Sequence, residues 1–181
     1  MEIAAQDILH FWFEEIDSRL WFSKDPHFDE LIRQRFAEIH SKARIGETYR
    51  WRHSPEGRLA EIILLDQFSR NMFRDSPKAF ENDIQALILA QEMVLSGDDR
   101  HLSSVGKTFA YMPYMHSESE LIHEEAVRLF SQAGLESSLE YELLHKEIID
   151  RFGRFPYRND ILGRTSTREE LEFLKLPGST F

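Results

Sequence analysis

Three times in the first half of the chain a helix-capping residue stands directly before a proline, at Asp25-Pro26, Ser54-Pro55 and Ser76-Pro77. A side-chain oxygen at the cap accepts from an unpaired first-turn N–H, and proline fits the first helical position, where its missing donor costs nothing. Each pair therefore predicts the start of a helix. Glycines supply matching ends: Gly46 closes the segment carrying Phe28, Leu31, Ile32, Phe36 and Ile39, and Gly97 closes one carrying Phe80, Ile84, Leu87, Ile88 and Val94. Ile8, Leu9, Phe11, Trp12 and Phe13 form an apolar first segment, and Ser117 with Glu120 reads as a capping box for a helix ending at Gly134. Sustained period-two alternation is missing throughout. The pattern predicts an all-α chain of seven or eight helices, many paired by short turns.

The helix opened by Ser54-Pro55 is unlike the others. Leu59, Ile62, Ile63, Leu64, Leu65 and Phe68 leave it little polar face, which places it in the middle of the fold. Asp66, Gln67, Ser69, Arg70 and Asn71 interrupt and follow this run, and Asp66 and Arg70 have the four-residue spacing of an ion pair. A second unusual stretch, IIDRFGRFPYRNDILGRTST, covers residues 148–167. Tyr141, Leu144, Ile148, Ile149 and Phe152 lead into it as the expected buried face of a helix that ends at Gly153. Ser166 or Thr167, with Glu169 or Glu170, opens a last short helix. Between lie Arg154, Arg158, Asn159 and Arg164, with Arg151 just before. Two readings are open: the arginines bond helix ends and acids to tie the loop down, or they face an anionic ligand.

Length and charge narrow the function. The 181 residues fit one domain, 1–181, with a substantial core. A net charge of −10 disfavours general nucleic-acid binding, since phosphodiesters are repelled. Apolar runs fall short of the roughly 18 residues of a membrane span. The opening MEIAAQDILHFWFEE has neither a basic n-region nor a small-residue cleavage site, so the cytoplasm is the expected compartment. Without cysteine there is no disulfide framework, thiol nucleophile or thiolate-ligated zinc.

Several blocks in order, ILLDQFSRNMFR (63–74), AFENDIQAL (79–87), FAYMPYMHSESE (109–120) and RFGRFPYRNDILGRTSTREELEFL (151–174), resemble a bacterial family known as domain of unknown function 924. The opening ILHFWF (8–13) is similar to the same family, so the resemblance spans nearly the whole chain. It implies a tetratricopeptide-repeat-like superhelix of stacked antiparallel helix pairs, and it implies no activity. The residues it selects are Asp66, Gln67, Arg70, Asn71, Arg74, His116, Ser117, Glu118, His145, Arg151, Arg154, Arg158, Asn159 and Arg164. His10 stands where the family usually has an acid, and His123 where it has glutamine.

Three chemistries compete for these residues. Acid-x-x-histidine spacings at Asp7/His10, Asp98/His101, Glu120/His123 and Glu142/His145 suggest metal ligation, but they are only a mild excess over chance for so acidic a chain. No metal and no cofactor is expected. Acid/base catalysis by His116, Glu118 and His145 would suit a cofactor-independent hydrolase. A nucleophile elbow and a glycine-rich phosphate loop are both missing. The favoured expectation is a binding module for a small anionic molecule or a peptide carboxylate. Its pocket would be lined by Asp66, Arg70, Asn71, Arg74, Arg151, Arg154, Arg158, Asn159 and Arg164. A polar centre would join the end of the third helix, the Met112–Glu118 turn and the Arg151–Arg164 loop. A structural or protein-interaction scaffold is the remaining alternative.

Overall fold

Capping chemistry sets several of the helix starts. The computed structural model describes residues 3–180, and among them every regular element is helical. Helix α1 runs Ala5–His10 and continues into a π-helical turn at Phe11–Glu15. Helix α2, Pro26–Arg44, is capped by Asp25, whose carboxylate accepts from the N–H groups of His27 and Phe28. Helix α3, Pro55–Ile63, is capped by Ser54, which accepts from Gly57 N–H. A second π-helical turn, Leu64–Phe68, joins α3 to α4, Ser69–Met72. There follow α5 (Asp83–Ser96), α6 (Ser104–Met115), α7 (Glu120–Phe130), α8 (Glu136–Phe152) and α9 (Arg168–Phe173). No helix among the described residues is long and apolar enough to cross a membrane.

The chain divides into two compact units. The first comprises Met1–Arg74 and Lys78–Pro113, the second Asp75–Pro77 and Tyr114–Phe181. In the first, Leu59 to Ser69 are all buried, as the missing polar face of α3 predicts. Around this rod lies an aromatic cluster. Trp12 packs edge-on against Phe109 at 5.6 Å and against Phe68 at 5.5 Å, while Phe36 meets Phe68 at 5.1 Å. In the second unit α7 and α8 form a helix hairpin, and Ile148, Ile149 and Phe155 make a core lined by Phe152, Tyr157 and Phe173.

Two boundaries and two helix faces depart from the sequence pattern. Ser76-Pro77 begins only a 3-10 turn, Pro77–Ala79, and the helix proper starts at Asp83 after Asn82. Helix α7 starts behind Ser119 rather than Ser117, because the Ser117 carbonyl and the Glu118 carboxylate are both engaged elsewhere. On α8, Tyr141 and Leu144 are exposed, whereas Glu142 and His145 share the buried face with Ile148 and Ile149. Ile84 and Ile88 of α5 also face solvent.

Candidate functional site

In the first unit, the π-helical turn presents Asp66 inward, and α4 carries Arg70, Asn71 and, just beyond, Arg74. Arg70 donates to Asp66 Oδ1 at 3.1 Å and to both Asp83 oxygens at 2.8 and 3.0 Å. Its guanidinium also lies 5.6 Å from the Phe80 ring centroid. Arg74 grips Asp29 with two bonds of 2.6 and 2.8 Å, and Asn71 donates to the same carboxylate at 2.8 Å. Gln67 donates to Asp66 at 2.6 Å. Buried charges persist only when paired and hydrogen-bonded in this way. Asp29 and Asp83, missed by sequence reasoning, sit in the first turns of α2 and α5, where acids suit the helix dipole and attract no special notice.

Nearby, His40 Nε2 lies 2.8 Å from Ser69 Oγ. The Ser69 hydroxyl donates to the Leu65 carbonyl at 2.6 Å, so His40 must donate to it, as Asn82 does at 3.1 Å. Ser69 is thus a fully buried junction whose proton is already committed. Burial lowers the His40 pKa to about 4, with a further push from the Arg44 charge, and the ring is neutral.

In the second unit, the Arg151–Arg164 loop is held by acids from two elements, the turn before α7 and the first turn of α9. Arg154 grips Glu170 at 2.6 and 2.8 Å and donates to the Thr165 carbonyl. That bond to Arg154 is the main force holding the Glu170 pKa down at about 2; burial opposes it, and the Thr167 N–H and Asn159 assist. Arg164 grips Glu118 at 2.6 and 2.9 Å and reaches Asn159 Oδ1 and the Phe155 carbonyl. Glu118 also accepts the Phe155 N–H at 2.7 Å. Burial pulls its pKa upward, but the bonds from Arg164 and Phe155 and the charges of Arg158 and Arg164 prevail and lower it. Arg151 lies at the surface, bonded to Glu169 and stacked over Phe152 at 4.7 Å.

Arg158 has a different setting. It is buried, with its guanidinium 4.5 Å from the Phe155 ring centroid and 5.6 Å from that of Tyr157. Phe155 is itself flanked by His145 at 5.7 Å and His123 at 6.2 Å, and His116 lies 6.5 Å from His145. Two imidazoles and a guanidinium thus gather beside one phenylalanine, with a third imidazole next to His145. His145 Nδ1 donates to the Tyr141 carbonyl at 2.7 Å. Burial lowers the His145 pKa to about 3; the Tyr141 bond works against this, and the like charges of His116, His123 and Arg158 work with it.

One pair was not foreseen. His123 Nδ1 and Glu142 Oε1, from facing helices, stand 2.7 Å apart with both side chains fully buried. Two of the four acid-x-x-histidine spacings contribute one member each, so the contact runs between helices and not within either. No group of three or more histidine, aspartate or glutamate side chains among the described residues has the geometry to hold a metal ion.

Comparison with known proteins places this architecture. The profile of a family described as bacterial protein of unknown function, DUF924, matches residues 8–178. A solved structure, that of the protein of unknown function ATU0120 from Agrobacterium tumefaciens, is 36% identical, with a TM-score of 0.90. The match covers 94% of this chain and 96% of that one. No curated protein matches.

Proposed function

The chain belongs to the DUF924 family, and from the geometry of its second unit we propose that it recognises a small anionic group, a carboxylate or phosphate, at His116 and Arg158. One observation carries this reading: the buried Arg158 guanidinium lies 4.5 Å from the Phe155 ring centroid, which His145 also flanks, with the half-exposed His116 beside His145. The ring contacts of Arg158 hold its planar fork in place for a carboxylate or phosphate. His116, half-exposed at the turn before α7, gives the site its edge to solvent. Arg154, Arg164 and Asn159 shape the loop around it, while Arg70, Asn71 and Arg74 brace the first unit.

The same residues suit proton transfer less well. Glu118 is tied down as a carboxylate by Arg164, and His145 takes up a proton only near pH 3. A cytoplasmic binding domain built from tetratricopeptide-like helix pairs is the architecture that accords with this reading.

The test is calorimetry and thermal shift of the full chain with inorganic phosphate and with acetate. Saturation at about 100 times Kd adds roughly 2.7 kcal/mol, a shift of several degrees. Arg158→Ala and His116→Ala should each weaken binding about tenfold or more, the scale of a charge-assisted hydrogen bond. Arg151→Ala should not. Equal binding by Arg158→Ala, or no response to either anion, would sink the reading.

A further inference from the structure

The buried His123–Glu142 pair obeys a strict proton count. His123 Nε2 lies 2.8 Å from the Ser117 carbonyl, which can only accept, so this nitrogen carries a hydrogen. The contact at 2.7 Å between His123 Nδ1 and Glu142 Oε1 then needs one proton, on the ring or on the carboxyl. Remove it, and a nitrogen lone pair faces a carboxylate inside the protein. Add a second, and a buried imidazolium loses its counter-charge, while the carboxyl must turn its hydrogen toward Oε2. That oxygen is buried and has no hydrogen-bond partner among the described residues. Lys146, beside Glu142 on α8, also opposes a second proton on the pair; His145 of the same helix feels the charge of His123, and His116 and Arg158 act on His145. Burial raises the Glu142 pKa, with His123 and Lys146 pulling the other way, in keeping with a proton retained between the two side chains.

What the pair holds is the turn that carries the candidate site. The Ser117 carbonyl is fixed by His123, and the next residue, Glu118, receives the Phe155 N–H and the Arg164 fork. One line of bonds therefore runs from Glu142 through His123 to the 116–118 turn, and on to the loop that bears Arg158. We propose that His123 and Glu142 are positioning residues, a clasp that sets the His116–Glu118 turn and the Phe155–Arg158 segment only while the pair carries a single proton. The consequence for anion binding rests on the function proposed above: affinity should fall when pH leaves the one-proton range on either side.

The experiment follows the backbone amide signals of Phe155 and Ser119 by NMR across pH, in the full chain, with signals from α3 reporting that the first unit stays folded. In the wild type these signals should hold through a central range and move on both flanks. Glu142→Gln supplies an amide hydrogen to His123 Nδ1 without needing the shared proton, so the alkaline movement should vanish. His123→Gln keeps a donor for the Ser117 carbonyl without titrating itself, so the two flanks should give way to the single step of Glu142. Glu142→Ala should displace the signals at every pH. A wild-type profile in Glu142→Gln and His123→Gln, or unmoved signals in Glu142→Ala, would overturn the clasp. Inorganic phosphate titrations of the same samples separate the two ideas. Phosphate binding by no protein, with the amide profiles as expected, removes the anion site and leaves the clasp standing. Phosphate binding with one pH profile in wild type and all three variants removes the clasp and leaves the site.

Discussion

At the scale of single residues, steric and protonic details overrule average preferences. Gly57 sits in the first turn of α3, where alanine is ordinarily worth up to about 1 kcal/mol more than glycine. A Cβ built there lies 2.0 Å from the Trp51 carbonyl oxygen and 2.8 Å from its carbon, both backbone atoms. Gly57→Ala should therefore destabilise the protein despite its better helix propensity, and a lowered urea midpoint with unchanged slope is the expected result. His40 supplies a pH dependence. Its folded pKa of about 4 lies below the ordinary 6.5, so between these values the unfolded chain binds a proton that the folded chain refuses. Stability from this group is complete above pH 6.5 and declines as pH falls toward 4. Each pH unit in that window costs up to about 1.4 kcal/mol. His145, depressed to about 3, adds loss in the same direction. His40→Gln, whose amide can still donate to Ser69, should narrow the difference between urea midpoints at pH 7 and pH 5.

At the scale of elements, caps were legible and faces were not. Asp25, Ser54 and Thr167 cap as their spacing predicts, because a cap is settled by three or four adjacent residues. Thr167 and Glu170 form a reciprocal box, and Glu170 also anchors Arg154. Thr167→Ala should cost about 1 kcal/mol, measured by chemical unfolding, while Arg154 keeps its partner. Ser76-Pro77 carried the same local signal without starting α5, and Asn82 at the true boundary bonds Ser69 from a distant part of the sequence. Helix α8 shows the limit most plainly. Apolar periodicity chose Tyr141 and Leu144, yet the buried positions are Glu142 and His145. A carboxylate becomes a core residue only once another helix brings His123 to it, and no spacing within one segment reports that. The candidate site was read in the same uneven way. Arginine density drew attention to the loop, but apart from Asp66 beside Arg70, the carboxylates that engage Arg70, Arg74, Arg154 and Arg164 lie 13 to 46 residues away.

At the scale of the molecule, the first unit is organised by one buried rod. Ile62, Ile63, Leu64 and Leu65 are fully buried in succession, so substitutions there have no solvent-facing side on which to relax. Ile62→Ala should cost roughly 2–5 kcal/mol. Against a total of about 5–15 kcal/mol for an ordinary protein, that is a large fraction. Hydrogen exchange should show the loss of protection throughout α2, α3 and α5 together, since α3 is part of the rod and α2 and α5 pack on it.

The π-helical turn at Leu64–Phe68 holds one more residue than the α-helical turn it replaces. Shortening this segment by a single residue would leave a smoother, better-bonded helix, and everything after it would swing by about 100° around the helix axis. Ser69 would leave His40, Arg70 would leave Asp83, and Asn71 would leave Asp29. Length here works as a phase setting: the irregular turn costs the helix some regularity, and it is what lets one continuous stretch, residues 55–72, bury an apolar face at its start and aim a polar one at its end.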